Sequence, residues 1–127
     1  MSENNPSVVR TLEQQRAAHA WQQIQKAKDK AKSKELKSLA RSAPASIQSS
    51  GLGQTVAFWK AKAESHHLVL YAALETWLKS QIGFDSPLLE WIVNKASSAD
   101  YRYATAEALA YLNWYKRFAE AELEGDE

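Results

Sequence analysis

Residues 66–82, His66-His67-Leu68-Val69-Leu70-Tyr71-Ala72-Ala73-Leu74-Glu75-Thr76-Trp77-Leu78-Lys79-Ser80-Gln81-Ile82, decide the fold class. Seventeen residues without glycine, proline or period-two alternation form a helix, and the run from Leu68 to Leu74 is apolar on nearly every side. A helix of that kind must be wrapped by other helices, and Gly83 supplies its stop. Upstream, Gly51-Leu52-Gly53 marks a turn, followed by a short helix from Thr55 to Ala63 carrying Val56, Phe58 and Trp59. Before it, a helix beginning near Ser33 points Leu36, Leu39, Ala40 and Ala43 inward. Pro44 kinks or restarts it, and Ile47 continues the inner face to Gly51.

A first helix runs from about Ser7 to Lys30, with Ala17, Ala20, Trp21, Ile24, Ala27 and Ala31 on its inner stripe. Arg16, His19, Gln23, Lys26 and Lys30 form a polar stripe beside it. Downstream, Asp85-Ser86-Pro87 starts a short helix, with Ser86 as N-cap and Pro87 at its first position. Ser97 to Asp100 offer caps for a long last helix, Tyr101 to about Glu122, whose aromatics cover more than one face. The expected fold is all-α: one compact bundle of five to six helices over residues 9–123, after a loose segment 1–8 and before an acidic end, 124–127.

Charge divides the chain. Residues 1–62 carry eleven Lys/Arg against four Asp/Glu, and residues 63–127 carry five against eleven, so the net +1 combines +7 with −6. This asymmetry suits a polyanion on one side and basic partners on the other, or two halves that attract each other within the monomer. Lys26, Lys28, Lys30, Lys32, Lys34, Lys37 and Arg41 fall close together, and Lys30, Lys34, Lys37 and Arg41 are spaced by four, three and four. Such a row can follow a phosphate backbone without reading sequence, and a solvated helix face explains it equally well. Lys60 can extend the same surface. Among the aromatics, Trp59, Tyr103, Tyr111, Trp114 and Phe118 are the candidates for a subunit interface.

Catalytic signals are weak. The chain has no cysteine, hence no disulfide, thiolate metal site or thiol nucleophile. His66 and His67 point about 100° apart on a helix and cannot grip one metal together. Gly51-Leu52-Gly53-Gln54-Thr55-Val56 lacks the third glycine and the Gly-Lys-Ser/Thr of a phosphate loop, and no Gly-x-Ser-x-Gly occurs. We expect no catalytic residue, no metal and no cofactor. The start, MSENNPSVVR, has no basic region leading into an apolar stretch, and no apolar run is long enough to span a bilayer, so a cytoplasmic protein with no membrane partner is expected.

Three blocks narrow the reading further. They are Gln15-Arg16-Ala17-Ala18, the stretch from Leu39-Ala40-Arg41-Ser42-Ala43-Pro44 through Gly51-Leu52-Gly53-Gln54-Thr55-Val56-Ala57-Phe58, and Tyr101-Arg102-Tyr103-Ala104-Thr105-Ala106-Glu107-Ala108-Leu109 leading to Trp114-Tyr115-Lys116-Arg117-Phe118-Ala119. In this order they resemble the small subunit of type III-B (Cmr) CRISPR RNA-guided effector complexes over nearly the whole chain. Ala43 stands where that family often has Leu, and Ser50 where it often has Asn, changes that touch packing and turn geometry and not charge.

The resemblance implies a noncatalytic helical subunit of an antiviral complex. Copies stack beside the backbone subunits that hold the guide RNA and help seat the target RNA. It carries Arg16, Arg41 and Arg102 over as RNA contacts. With the charge pattern, the expected RNA-binding set is Arg16, Lys26, Lys30, Lys34, Lys37, Arg41, Lys60 and Arg102, contacting phosphates and leaving specificity to guide pairing. The expected partners are the other subunits, neighbouring copies packed head to tail, guide RNA and target RNA. Two other readings stay open: a free-standing helical nucleic-acid-binding regulator, which needs a symmetric dimer and base-edge contacts, and a pure protein–protein adaptor whose lysines are only solvated.

Overall fold

The computed structural model describes residues 10–29 and 32–124. Among the described residues the chain is helical and strand-free, with α1 Leu12–Ala27, α2 Ser33–Ser50, α3 Leu52–Lys62, α4 Ser65–Ile82, α5 Leu88–Glu90 and α6 Ser98–Glu122, and a π-helical turn Trp91–Lys95 after α5. The all-α bundle expected from the sequence is the fold. Ala31 of the expected inner stripe lies outside the described residues.

Each helix begins and ends for a local reason. Thr11 caps α1: its hydroxyl accepts the Gln14 N–H at 3.1 Å and the Gln14 side chain accepts the Thr11 N–H at 2.9 Å, a reciprocal pair that starts the helix at Leu12, while Ser7, the expected start, lies outside the described residues. In α2 the buried residues Leu36, Ala40, Ala43 and Ile47 recur at steps of four, three and four, and Pro44 sits inside the helix without ending it. Gly51 alone joins α2 to α3. Its φ of 90° and ψ of 157° lie in a region essentially reserved for glycine, so α3 starts directly at Leu52, ahead of the expected Thr55. Gly53 is a different case. It lies within the first turn of α3 and donates its N–H to the Tyr101 hydroxyl at 2.9 Å.

Two expectations are corrected. Ser86 does not cap the helix at 88. The Leu88 N–H goes instead to the Glu75 carboxylate at 2.7 Å and the Leu89 N–H to the Tyr71 hydroxyl at 3.2 Å, so α4 caps α5 from across the structure while Pro87 stands outside it as the capping residue. Nor is α4 wrapped on all sides: Leu68, Ala72 and Thr76, spaced by four, form an exposed edge. The spine is α6, 25 residues long, which packs against α1, α2 and α4. Small residues Ala104, Ala108 and Ala119 let its neighbours approach closely, and Tyr111, Leu112 and Tyr115 fill the space between them.

The two glycines of one motif make a test. Gly51→Ala must force an alanine into a conformation it rarely adopts, and unfolding by denaturant should show a loss of about 1–3 kcal/mol. At Gly53 a new Cβ meets only Ile92 and the Tyr101 hydroxyl at 3.4 Å. Gly53→Ala should therefore stay within about 0.5 kcal/mol of the parent, helped by the better helix propensity of alanine.

Candidate nucleic-acid and subunit interface

The polar stripe of α1 does not face solvent throughout. Its upper part, Arg16 and His19, is turned onto α6. Arg16 donates Nε to Glu107 Oε2 at 2.6 Å and a terminal nitrogen to Glu107 Oε1 at 2.9 Å, a two-point clamp. Glu107 is only 3% exposed, and its Oε2 also accepts the Trp77 indole N–H at 2.9 Å. Three charge-assisted bonds replace the water that this carboxylate loses on burial. One turn further, His19 Nδ1 lies 2.7 Å from the Tyr111 hydroxyl, and the Trp77 and Tyr111 rings stack at 5.5 Å and 12°. Burial, assisted by the charge of Lys26, pushes the His19 pKa below the usual histidine value. Burial also raises the Tyr111 and Tyr115 hydroxyls well above their ordinary range, so both stay neutral.

Arg16, one of the expected RNA contacts, is thus committed to a buried partner within the chain. Lys37 is only 5% exposed on the inner side of α2 and has an interaction of its own. Lys30 lies outside the described residues. Lys26, Lys34, Arg41, Lys60 and Arg102 are exposed. Near the carboxyl end of α6, Arg41 meets Glu120 at 3.5 Å and Lys28 meets Glu122 at 3.0 Å, and Ser33, next to Lys34, lines a cleft with Lys28 and Glu122. Lys60 sits over the Tyr71 ring at 5.0 Å from its centroid. Arg102 is at the other end of α6, about 27 Å along the helix axis from Glu120 at 1.5 Å per residue. The expected basic residues therefore gather partly, around the junction of α1, α2 and α6, and Arg102 stands apart.

The aromatics separate in a similar way. Trp59 and Tyr111 belong to the core and offer no surface to a neighbour, because α3 turns Trp59 inward and α6 packs Tyr111 under α1 and α4. Tyr103 is 49% exposed, and Trp114 and Phe118 are half-buried. Trp21, expected inside, is 42% exposed and rests edge-on against Phe118 with ring centroids 5.2 Å apart. With Trp114 tilted against Phe118 at 5.5 Å, these rings form an aromatic seam between α1 and α6. Sequence reading missed Glu107 as well. Its signal was present: an acidic residue on the same stripe as Ala104, Ala108 and Tyr111, where only apolar groups belong unless a cation answers it.

The His66 and His67 rings lie 4.2 Å apart on the first turn of α4, both buried. Among the described residues no group of three or more His, Asp or Glu could hold a metal ion. None of their helices is long and apolar enough to cross a membrane.

These features define a small helical protein organised around an internal ion pair, with its remaining chemistry on exposed basic and aromatic surfaces. The family described as CRISPR-associated protein (Cas_Cmr5) matches residues 12–122, nearly the whole helical body. The crystal structure of a CRISPR-associated Cmr5 family protein from Thermus thermophilus is similar at a TM-score of 0.78 and 29% identity, covering 91% of this chain and 100% of that one. The chain belongs to the Cmr5 family, and the assignment to the type III-B Cmr complex that the three sequence blocks implied stands with it.

Removing one member of the buried pair should be costly. Glu107→Ala or Arg16→Ala should lower stability by about 3 kcal/mol, the low end for a broken buried pair because Arg16 reaches the surface. The double substitution Arg16→Ala with Glu107→Ala should cost clearly less than the sum of the two, a difference that the double-mutant cycle reads as their coupling. Acid provides a second test. His19, with its pKa lowered in the folded state, contributes stability that is complete above the unfolded value of about 6.5 and lost as pH falls toward the folded pKa. Melting temperature should drop between pH 7 and pH 5, and His19→Gln should flatten part of that slope.

Proposed function

We propose that this chain is a noncatalytic structural subunit of a cytoplasmic type III-B complex in antiviral defence, stacking with copies of itself and contacting guide or target RNA through its exposed basic residues. Membership of the Cmr5 family carries the reading. The surface supports it: Lys26, Lys34, Arg41, Lys60 and Arg102 are exposed, and long basic side chains that point outward can replace the counterions of a phosphate backbone. Contacts of that kind position a strand and leave its sequence to be read by the guide. The other subunits of the complex, including its backbone subunit, and neighbouring copies are the proposed protein partners. Tyr103, 49% exposed, is the interface aromatic that such partners can reach.

One observation favours the adaptor reading. Arg41 and Lys28 already hold carboxylates of α6, so part of the charge asymmetry along the sequence is satisfied within the monomer. A salt series separates the two. A guide-loaded complex assembled with Lys26, Lys34, Arg41 and Arg102 all changed to Gln should bind complementary RNA more weakly, with a log–log salt slope shallower by about 0.7 for each phosphate that is no longer neutralised. An assembled variant complex with wild-type affinity and slope would establish the chain as a pure adaptor.

A further inference from the structure

We propose that the cleft between α1 and α6, walled by Trp21, Trp114 and Phe118, stacks an unpaired base of an RNA strand; this rests on the RNA contact proposed above and adds a base-holding site to it. The cleft has a volume of about 450 Å³, and a second of about 470 Å³ adjoins it along α6, with Trp114 and Glu13 shared between the two. Phe118 touches both indoles, at 5.2 Å and 85° for Trp21 and at 5.5 Å and 34° for Trp114, so the three rings are braced against one another before any ligand arrives. Stacking on such rings is available to every base, because every base has a π face.

The polar lining selects the occupant. Arg10 borders the first cleft and Arg117 the second, and among the described residues neither makes an ion pair. The one carboxylate on these walls, Glu13, is already bonded to Arg16 at 3.1 Å. Two guanidinium groups beside exposed aromatic faces outnumber the one carboxylate on these walls and match a base together with its flanking phosphates. Gln22 and Asn113 add amide groups that can meet the edge of a base without demanding one identity.

The indoles themselves report occupancy, because Trp59, Trp77 and Trp91 are buried and only Trp21 and Trp114 are open to a stacked ring. The experiment titrates the full chain with a mixed-sequence single-stranded RNA and with an abasic strand of equal length, reading tryptophan quenching and affinity. The base-bearing strand should quench emission and bind about tenfold more tightly. Trp21→Leu and, independently, Trp114→Leu should remove that preference while leaving affinity for the abasic strand unchanged. Equal binding of the two strands without quenching would overturn the base site and leave the phosphate contacts standing. If neither strand binds, this site falls, and the RNA contact of the assembled complex is decided separately by the salt series. If either variant changes sedimentation of the chain while the base preference persists, the cleft is a protein contact and the proposal is wrong.

Discussion

The Glu107 carboxylate is the constraint on which the arrangement of helices depends. A carboxylate at the centre of an apolar bundle is tolerated only when its lone pairs are occupied, and here the occupants come from two other helices, Arg16 on α1 and Trp77 on α4. Hydrophobic burial is non-directional and tolerates small slides of α1 along α6. The clamp does not permit that, since a shift of one position would leave Glu107, Arg16 and the Trp77 indole unpartnered together. Register is thus fixed by polar geometry, and the apolar residues Ala20, Ile24, Ala104, Ala108 and Leu112 supply most of the stabilisation within it.

The same clamp explains which parts of the chain are legible from sequence. Helix content and approximate helix positions follow from periodicity and from the glycines at 51 and 83, because those signals act within a few residues. The cap of α5 is not legible, because its partners, Glu75 and Tyr71, lie thirteen and eighteen residues away, on a helix that no local pattern connects to it. Arg16 and His19 read as a surface stripe because helical spacing gives the direction of a side chain and not what it meets. Trp21 is the converse. Hydrophobicity places it inside, yet Phe118 supports only one edge of the ring and the remainder stays open. The family resemblance implies an RNA contact for Arg16, and no local pattern points to its partner ninety-one residues away.

The split between a basic first half and an acidic second half has two physical outlets, internal pairing and external binding, and magnitudes separate them. The Arg16–Glu107 pair is short and bidentate and its carboxylate is buried, so withdrawing Arg16 toward a phosphate would strand that carboxylate in the core at a cost of about 3 kcal/mol. A single phosphate contact cannot offset that. The Arg41–Glu120 pair is 3.5 Å long between two side chains that are each more than a third exposed, and pairs of this kind contribute at most about 1 kcal/mol. Loss of that contact would leave both side chains solvated and the fold undisturbed. Exchanging the partner of Arg41 therefore costs the fold little, and withdrawing Arg16 from Glu107 costs it much. The two arginines look equivalent as members of a basic pattern along the sequence, and burial of their partners is what assigns one to the architecture and leaves the other for the surface.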